Sequence, residues 1–366
     1  VQETDAIIAA RREMEICNAC RYCEGFCAVF PAVELRREFS AGDLSYLANL
    51  CHGCKGCYYA CQYSPPHEWG INVPAALAEV RAESYAEYAW PKPMAGVFER
   101  NGTVVSLVAA FGIALVLLLC SPGSNFWVAQ GDAPESFYNI IPLWAIQIVG
   151  IATFGYSLFA LGMGARNFWR DAGPQEKIGP TAVAIALWDV LTLKNLGGAG
   201  NGCNDNSEAF SMRRRYLHHA MFYGFLLCFA ATTTGFIYHS FLGWAAPYPF
   251  ISAPVLLGTV GGILMVIGTI GLLAMKFVDD PIPNVRRLLG GDVALLMLLA
   301  MIAVTGLVLL AARATGAMGL AMAIHLGFIL AFFLVLPYSK MVHGVYRSAA
   351  LLRRAIERNM KPLGGE

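Results

Sequence analysis

The sequence predicts a mainly α-helical protein in two parts, an all-helical cysteine-rich module over residues 1–92 and a six-helix membrane bundle over 93–366. Three observations carry that expectation. Apolar residues make up 57% of the 366 and charged residues 14%, against about 45–50% and about 25% in soluble globular domains. A stretch of eleven residues, CNACRYCEGFC, returns 34 positions later as CHGCKGCYYAC. The histidines outside the first 90 residues cluster around two of the long apolar runs.

The cysteine repeat comes first along the chain. Both copies read C-x2-C-x2-C-x3-C, through Cys17, Cys20, Cys23 and Cys27 and then Cys51, Cys54, Cys57 and Cys61. Three thiolates in one tight loop reach three corners of an iron–sulfur cubane, and the fourth corner needs a ligand from elsewhere, which in two-cluster ferredoxins is the fourth cysteine of the other run. Two [4Fe–4S] clusters are therefore expected, one on Cys17, Cys20, Cys23 and Cys61, the other on Cys51, Cys54, Cys57 and Cys27. A zinc site is disfavoured because it takes four ligands, usually as two separated C-x2-C pairs. Where bacterial ferredoxins place proline directly after the fourth cysteine, Ala28 and Gln62 stand here. The connecting VELRREFSAGDLSYLANL lacks the alternation of strands. It reads as a helix, a loop at Ala41-Gly42 and a second helix capped by Asp43 with Leu44, Leu47 and Leu50 on one side. Another helix is expected from Pro74 to about Tyr88. His52 and His67 read as partly exposed loop residues.

No basic segment followed by an apolar one precedes the cysteines, so the module is expected to stay in the cytoplasm, where eleven cysteines mean metal or redox chemistry rather than disulfides. A net charge of +1 without a long basic run gives no reason to expect a nucleic-acid partner.

After a proline-punctuated linker, AWPKPMAGVFERNG, spans are expected near 103–120, 140–163, 217–241, 254–275, 292–312 and 318–341, each long enough for about 30 Å of hydrocarbon. IGPTAVAIALWDVLTL is shorter, contains Asp189 and reads as an interfacial helix. Arg166, Arg170, Lys177, Lys194, Arg213 to Arg215, Lys276, Arg286, Arg287 and the tail from Lys340 to Lys361 fall on one side, and Arg313 on the other. By the positive-inside rule both termini lie in the cytoplasm. NLGGAGNGCND lacks the ending of a phosphate loop and reads as a flexible surface loop with Cys203 unassigned. Cys120 and Cys228 read as small buried apolar residues.

His218, His219 and His239 bracket the third span; His325 and His343 belong to the sixth. Ionisable side chains inside bilayers are costly and functional, and neutral imidazole is an axial ligand of haem. On a continuous sixth helix, His325 and His343 would be 18 residues and five whole turns apart, on one face. One or two b-type haems are expected, with His239 and His325 at one level and His343 with His218 or His219 at the other. Gly224 and Gly235 are candidate bends in the third span that keep His219 open.

With CQYSPPHEWGINVP, RRRYLHHAMFYGFLLCFA and LPYSKMVHGVYR added to the cysteine runs, the whole chain resembles the tricarballylate-utilisation protein B group, also labelled citrate-utilisation protein B. The resemblance implies a membrane electron carrier that reoxidises a separate FAD-dependent, tricarballylate dehydrogenase-like flavoprotein and passes electrons to membrane quinone. It places the chain in a bacterial inner membrane. The residues agree in class, since no dinucleotide fingerprint would bind flavin or nicotinamide here. A heterodisulfide-reductase-like subunit would carry adjacent cysteine pairs, which are absent. A transporter with a redox-sensing module would show intramembrane charge pairs and broken repeated helices, and a third reading is a passive anchor with no electron transfer to quinone, which a reduced b-haem band together with broad cluster absorption would exclude.

Overall fold

The computed structural model describes residues 3–120, 126–131, 135–173, 176–198 and 200–358, with the side chains of 97–101 and 119–120 outside the described set. The side chain of Cys120 and the tail lysine Lys361 therefore lie outside the described residues.

The cysteine module is helical. α1 (Asp5–Cys20) carries the first two cysteines, α2 (Phe30–Val33) follows the first run, α3 (Ala41–Leu50) leads into the second, α4 (Gly56–Tyr59) lies within it, and α5 (Val73–Tyr88) closes the module. Leu44, Leu47 and Leu50 are all buried, as their spacing predicts. The cap of α3 differs from expectation: it is Ser40, whose Oγ accepts from the Asp43 N–H (3.1 Å) and donates to the Asp43 carboxylate (2.7 Å). Asp43 is the third helical residue, so the pair forms a reciprocal cap.

The expected linker is also helical. α6 (Lys92–Cys120) starts within it, with Pro93 in the first turn, where a missing N–H breaks no hydrogen bond. α7 (Leu143–Ala172), the short α8 (Pro180–Leu191), α9 (Arg213–Leu242), α10 (Ala253–Val278), α11 (Leu289–Ala312), α12 (Met318–Val335) and α13 (His343–Glu357) follow. Among the described residues five helices are long and apolar enough to cross a membrane: α7, α9, α10, the 286–312 segment and α12. α6 contributes a shorter apolar stretch, Gly102–Leu118.

Glycines set how closely these helices pack. A Cβ on Gly268 would lie 2.3 Å from the Met221 backbone nitrogen, and one on Gly224 would lie 2.6 Å from that of Met265, so α9 and α10 touch backbone to backbone. Gly224 is thus a packing residue in a helix unbroken from Arg213 to Leu242. Gly327 does the same between α12 and Ala110 of α6.

The expected sixth span breaks. α12 ends at Val335, residues 336–339 turn, and α13 begins at His343. Pro337 has no N–H to bond the Phe333 carbonyl one turn back, and that carbonyl accepts from Ser157 of α7 instead. His325 and His343 consequently lie on different helices, and their five-turn spacing fixes no common face.

α13 returns to the cysteine module. Val342, Tyr346, Ala350 and Leu351 share one apolar core with Leu44, Leu47, Leu77 and Tyr88 of the module and Phe168 of α7. Arg36 and Arg353 both pair with Asp43 and Glu357, and Tyr46 donates to Glu357 at 2.8 Å. The basic tail is therefore a built clamp rather than only a topological signal.

Candidate functional site

The two cysteine runs fold alike. Each has a left-handed residue directly after its second cysteine, Arg21 (φ 55°) and Lys55 (φ 63°), which turns the loop so that the thiols face inward. In each, the fourth sulfur accepts a backbone N–H two residues on, from Val29 to Cys27 (3.5 Å) and from Tyr63 to Cys61 (3.4 Å).

The thiols gather around two cavities. Cys17, Cys20, Cys23 and Cys61 line one, with Tyr22, Tyr63 and Ile71. Cys27, Cys51, Cys54 and Cys57 line the other, with Leu50, His52 and Asn195. Phe30 belongs to both walls. The first site is the more open: Cys20 is exposed, and the aromatic group Tyr63, His67 and Trp69 stands beside it. Burial, and then the neighbouring thiols, push Cys17 up to about 12 and Cys23 to about 11, and Cys27 and Cys57 upward in the same way. Four such thiols ionise together only around a cation. Among the described residues no three His, Cys, Asp or Glu converge tightly enough for a single metal ion, whereas zinc would draw four sulfurs to about 2.3 Å from one point. Thiols lining the walls of a cavity fit a polynuclear cluster better.

The second site is walled by the membrane half. NLGGAGNGCND, expected as a flexible surface loop, is a docked element. Cys203 and Asn204 form β1 and pair with Phe210 and Ser211 of β2, and Cys203, Asn204 and Asp205 are buried. Gly202, at φ 111°, lets the turn close: a Cβ there would lie 2.4 Å from the Ser211 carbonyl oxygen. The Asn204 N–H donates to the Cys54 carbonyl (2.9 Å), and Lys55 bonds the Asp205 carbonyl (2.9 Å) and pairs with Asp279 (3.0 Å). Composition alone, rich in glycine and asparagine, hid this contact. Cys203 donates to the Leu196 carbonyl and is a structural thiol.

Arg214 of α9 donates to the Gly53 carbonyl at 2.6 Å, and Arg347 of α13 donates to the Cys51 carbonyl at 2.9 Å. Arg81 of α5 reaches the same Cys51 carbonyl at 3.0 Å. Sequence reasoning counted Arg214 and Arg347 only as topological charge and passed over Arg81. The signal was present: Arg214 stands four residues before His218 and Arg347 four after His343, one helical turn in each case. His52, part-buried, donates from Nδ1 to the Leu50 carbonyl (2.7 Å), and burial first, then Arg347, keep it neutral.

Of the five membrane-half histidines the structure brings two together. The rings of His218 and His343 have centres 6.3 Å apart and planes at 85°. Two metal–imidazole bonds of about 2 Å, with about 1.1 Å from each nitrogen to its ring centre, span nearly that distance. His343 donates from Nδ1 to the Lys340 carbonyl (2.6 Å), which leaves Nε2 free, and burial and then Arg347 hold it neutral, down to about 3. His218 Nδ1 is buried without a partner. His219 turns away to the Thr192 carbonyl (3.1 Å) and stacks on Tyr223. His325 bonds Thr305 of α11 (3.1 Å) against Gly306, while His239 packs on Tyr138. Among the described residues no ring contact or hydrogen bond joins His325 to His239.

A family model described as citrate utilization protein B matches residues 96–363, and one described as the citrate utilization protein B Fer4-like domain matches residues 10–87. The chain belongs to the citrate utilization protein B family. It is 45% identical over 358 residues to the Escherichia coli protein named citrate utilization protein B, covering 97% of this chain and 93% of that one. No solved structure matches. The Fer4-like model covers both cysteine runs, so family membership and the two cysteine-lined cavities point to iron–sulfur clusters by separate routes.

Proposed function

We propose that this family member is a membrane electron-transfer subunit that accepts electrons from the reduced FAD of a partner dehydrogenase acting on a tricarboxylate and delivers them to membrane quinone. Its carriers would be two [4Fe–4S] clusters, on Cys17, Cys20, Cys23 and Cys61 and on Cys51, Cys54, Cys57 and Cys27, and b-type haem on His218 and His343. Clusters and haem supply one-electron chemistry. The chain's own residues position and insulate those groups. The tricarboxylate comes from the name of the Escherichia coli relative and the resemblance of the motifs.

One observation carries the reading: the loop of the second cysteine site is hydrogen-bonded by Arg214 and Arg347, which lie one turn from His218 and His343. The same two helix ends therefore touch a candidate cluster site and present a candidate haem pair. The exposed Cys20 makes the first site the natural face for the partner. The basic segments support an N-terminal module and α13 on the cytoplasmic side of a bacterial inner membrane. α6, packed against α12 through Gly327, would supply a sixth span.

The test is a cofactor inventory of the anaerobically purified chain. About eight non-haem irons and eight sulfides per chain and a reduced b-haem band are expected, the band disappearing in His343→Ala but surviving in His219→Ala. Saturation at four non-haem irons, or a haem band indifferent to His343, would refute this assignment.

A further inference from the structure

We infer that Arg81, Arg214 and Arg347 form a cationic collar that raises the reduction potential of the cluster at the second cysteine site above that of the cluster at the first. The inference rests on the proposed function, because it presupposes clusters at both sites.

The three guanidiniums come from α5, α9 and α13 and converge on one loop. Arg81 donates to the carbonyls of Ala48 and Cys51 (both 3.0 Å), Arg347 to those of Asn49 (3.2 Å) and Cys51 (2.9 Å), and Arg214 to that of Gly53 (2.6 Å). All three hydrogen-bond groups are part-buried, and among the described residues none of the three forms a salt bridge. Three other inward-facing cations are paired: Arg36 and Arg353 share Asp43 and Glu357, and Lys55 holds Asp279. Carbonyl oxygens satisfy the hydrogen bonds of the collar but do not cancel its charge.

Arg214 has the carboxylates of Asp205 and Asp279 in its surroundings, whereas Arg81 and Arg347 bring charge to the Cys51 carbonyl without a salt bridge. Gathering cations in a part-buried place is costly, so the arrangement calls for an anion. The group that four thiolates would hold there is one: a [4Fe–4S] core with its cysteinates is net negative, and more so by one charge when reduced. Fixed positive charge stabilises the reduced form more than the oxidised form, which raises the potential. The effect is purely electrostatic, with no bond made or broken and no proton moved. At the first site the charged group set against Cys17 and Cys61 is instead the buried carboxyl of Glu13. The second cluster would thus sit in a more positive environment than the first and be the better electron acceptor.

The experiment is a redox titration of the full chain, followed by electron paramagnetic resonance, in wild type, Arg81→Gln, Arg347→Gln and Arg347→Lys. At a fixed potential each glutamine variant should lower the reduced-to-oxidised ratio of the second cluster about tenfold, equivalent to 59 mV for a one-electron couple, and leave the first cluster unchanged. Arg347→Lys, which keeps the charge and loses the fork, should stay near wild type. Equal shifts at both clusters, a lysine variant as displaced as the glutamine one, or loss of haem with the second cluster unmoved would overturn the collar. The last outcome would assign the arginines to the haem carboxylates. Should the glutamine variants fail to hold the second cluster, Arg347→Lys decides: a wild-type ratio supports the collar and a lowered one overturns it. A wild-type protein without two cluster signals would refute the proposed function itself, whereas two signals with unresponsive potentials would refute only the collar.

Discussion

At the first cysteine site the thiols look out past Tyr22, 67% exposed, and Trp69, 43% exposed. The walls come from the module itself, through α1, α2 and the segment after Cys61. At the second site the same loop is enclosed by the β1–β2 hairpin, the start of α9, the start of α13 and Asn195. The repeated motif dictates a repeated loop, down to the left-handed residue after the second cysteine and the N–H on the fourth sulfur. What surrounds each loop comes from parts of the chain up to about 300 residues away, as with Arg347 and Cys51. Identical ligands in unlike surroundings are how one fold builds two carriers with different tasks.

The largest expected effect tests whether the two sites exchange their fourth ligands. Cys27→Ala should remove the cluster built mainly by the second run, and Cys61→Ala the one built mainly by the first, each lowering the non-haem iron content from about eight to about four. Iron and sulfide analysis with the resonance spectrum of the remaining cluster distinguishes them. If each substitution abolished the cluster of its own run, the grouping around the two cavities would be wrong.

The difference between the sites also explains what was legible in the sequence. Spacing along the chain determines the ligand loops and the apolar helices, because both depend on local geometry. The burial of Leu44, Leu47 and Leu50 of α3 followed from periodicity in the same way, and α5 runs from Val73 to Tyr88 against an expected Pro74 to about Tyr88. The break after Val335 was equally local, since Pro337 announces it, but the apolar run across it argued for one continuous span. The hairpin around Cys203 and the arginine contacts were hidden for a different reason. Glycine-rich composition describes a backbone's freedom and not its partner, and a carbonyl acceptor such as Cys51 leaves no mark on the side-chain sequence. His218 was separable from His219 only by the face each presents, and the neighbours that settle it, His343 and Thr192, lie elsewhere along the chain.

An intermediate effect is expected where α13 meets the module. Glu357 is buried and satisfies Arg36, Arg353 and Tyr46 together, so Glu357→Ala leaves two inward-facing guanidiniums short of a partner. Breaking a buried pair in this way costs about 3–5 kcal/mol. Because α13 also carries Arg347, the second site should loosen first. Thermal unfolding in detergent, with iron release followed by the spectrum of each cluster, should show a lowered midpoint and earlier loss at the second site. Simultaneous loss from both sites would mean that the clamp supports the module as a whole and not one carrier.

The smallest effect belongs to the first site and appears only in part of the pH range. Glu13 is buried, its Oε1 accepts from the Asn72 N–H at 3.1 Å, and its Oε2 has no partner. Burial raises its carboxyl from the ordinary 4.5 to about 7. A folded pKa above the unfolded one means that the folded state holds the proton more tightly, so the group's contribution to stability is complete below about 4.5 and is lost as the pH climbs through about 7. The whole difference amounts to about 3 kcal/mol at most, and it shrinks wherever water reaches the carboxyl. Glu13→Gln keeps the contact with Asn72 and removes the charge. It should therefore match wild type near pH 4.5 and melt higher near pH 8, with the crossover between. A glutamine variant that gained nothing at pH 8, or that gained equally at both ends, would show that Glu13 is not ionising in the buried position where the fold places it, and the contrast in charge between the two sites would lose its negative half.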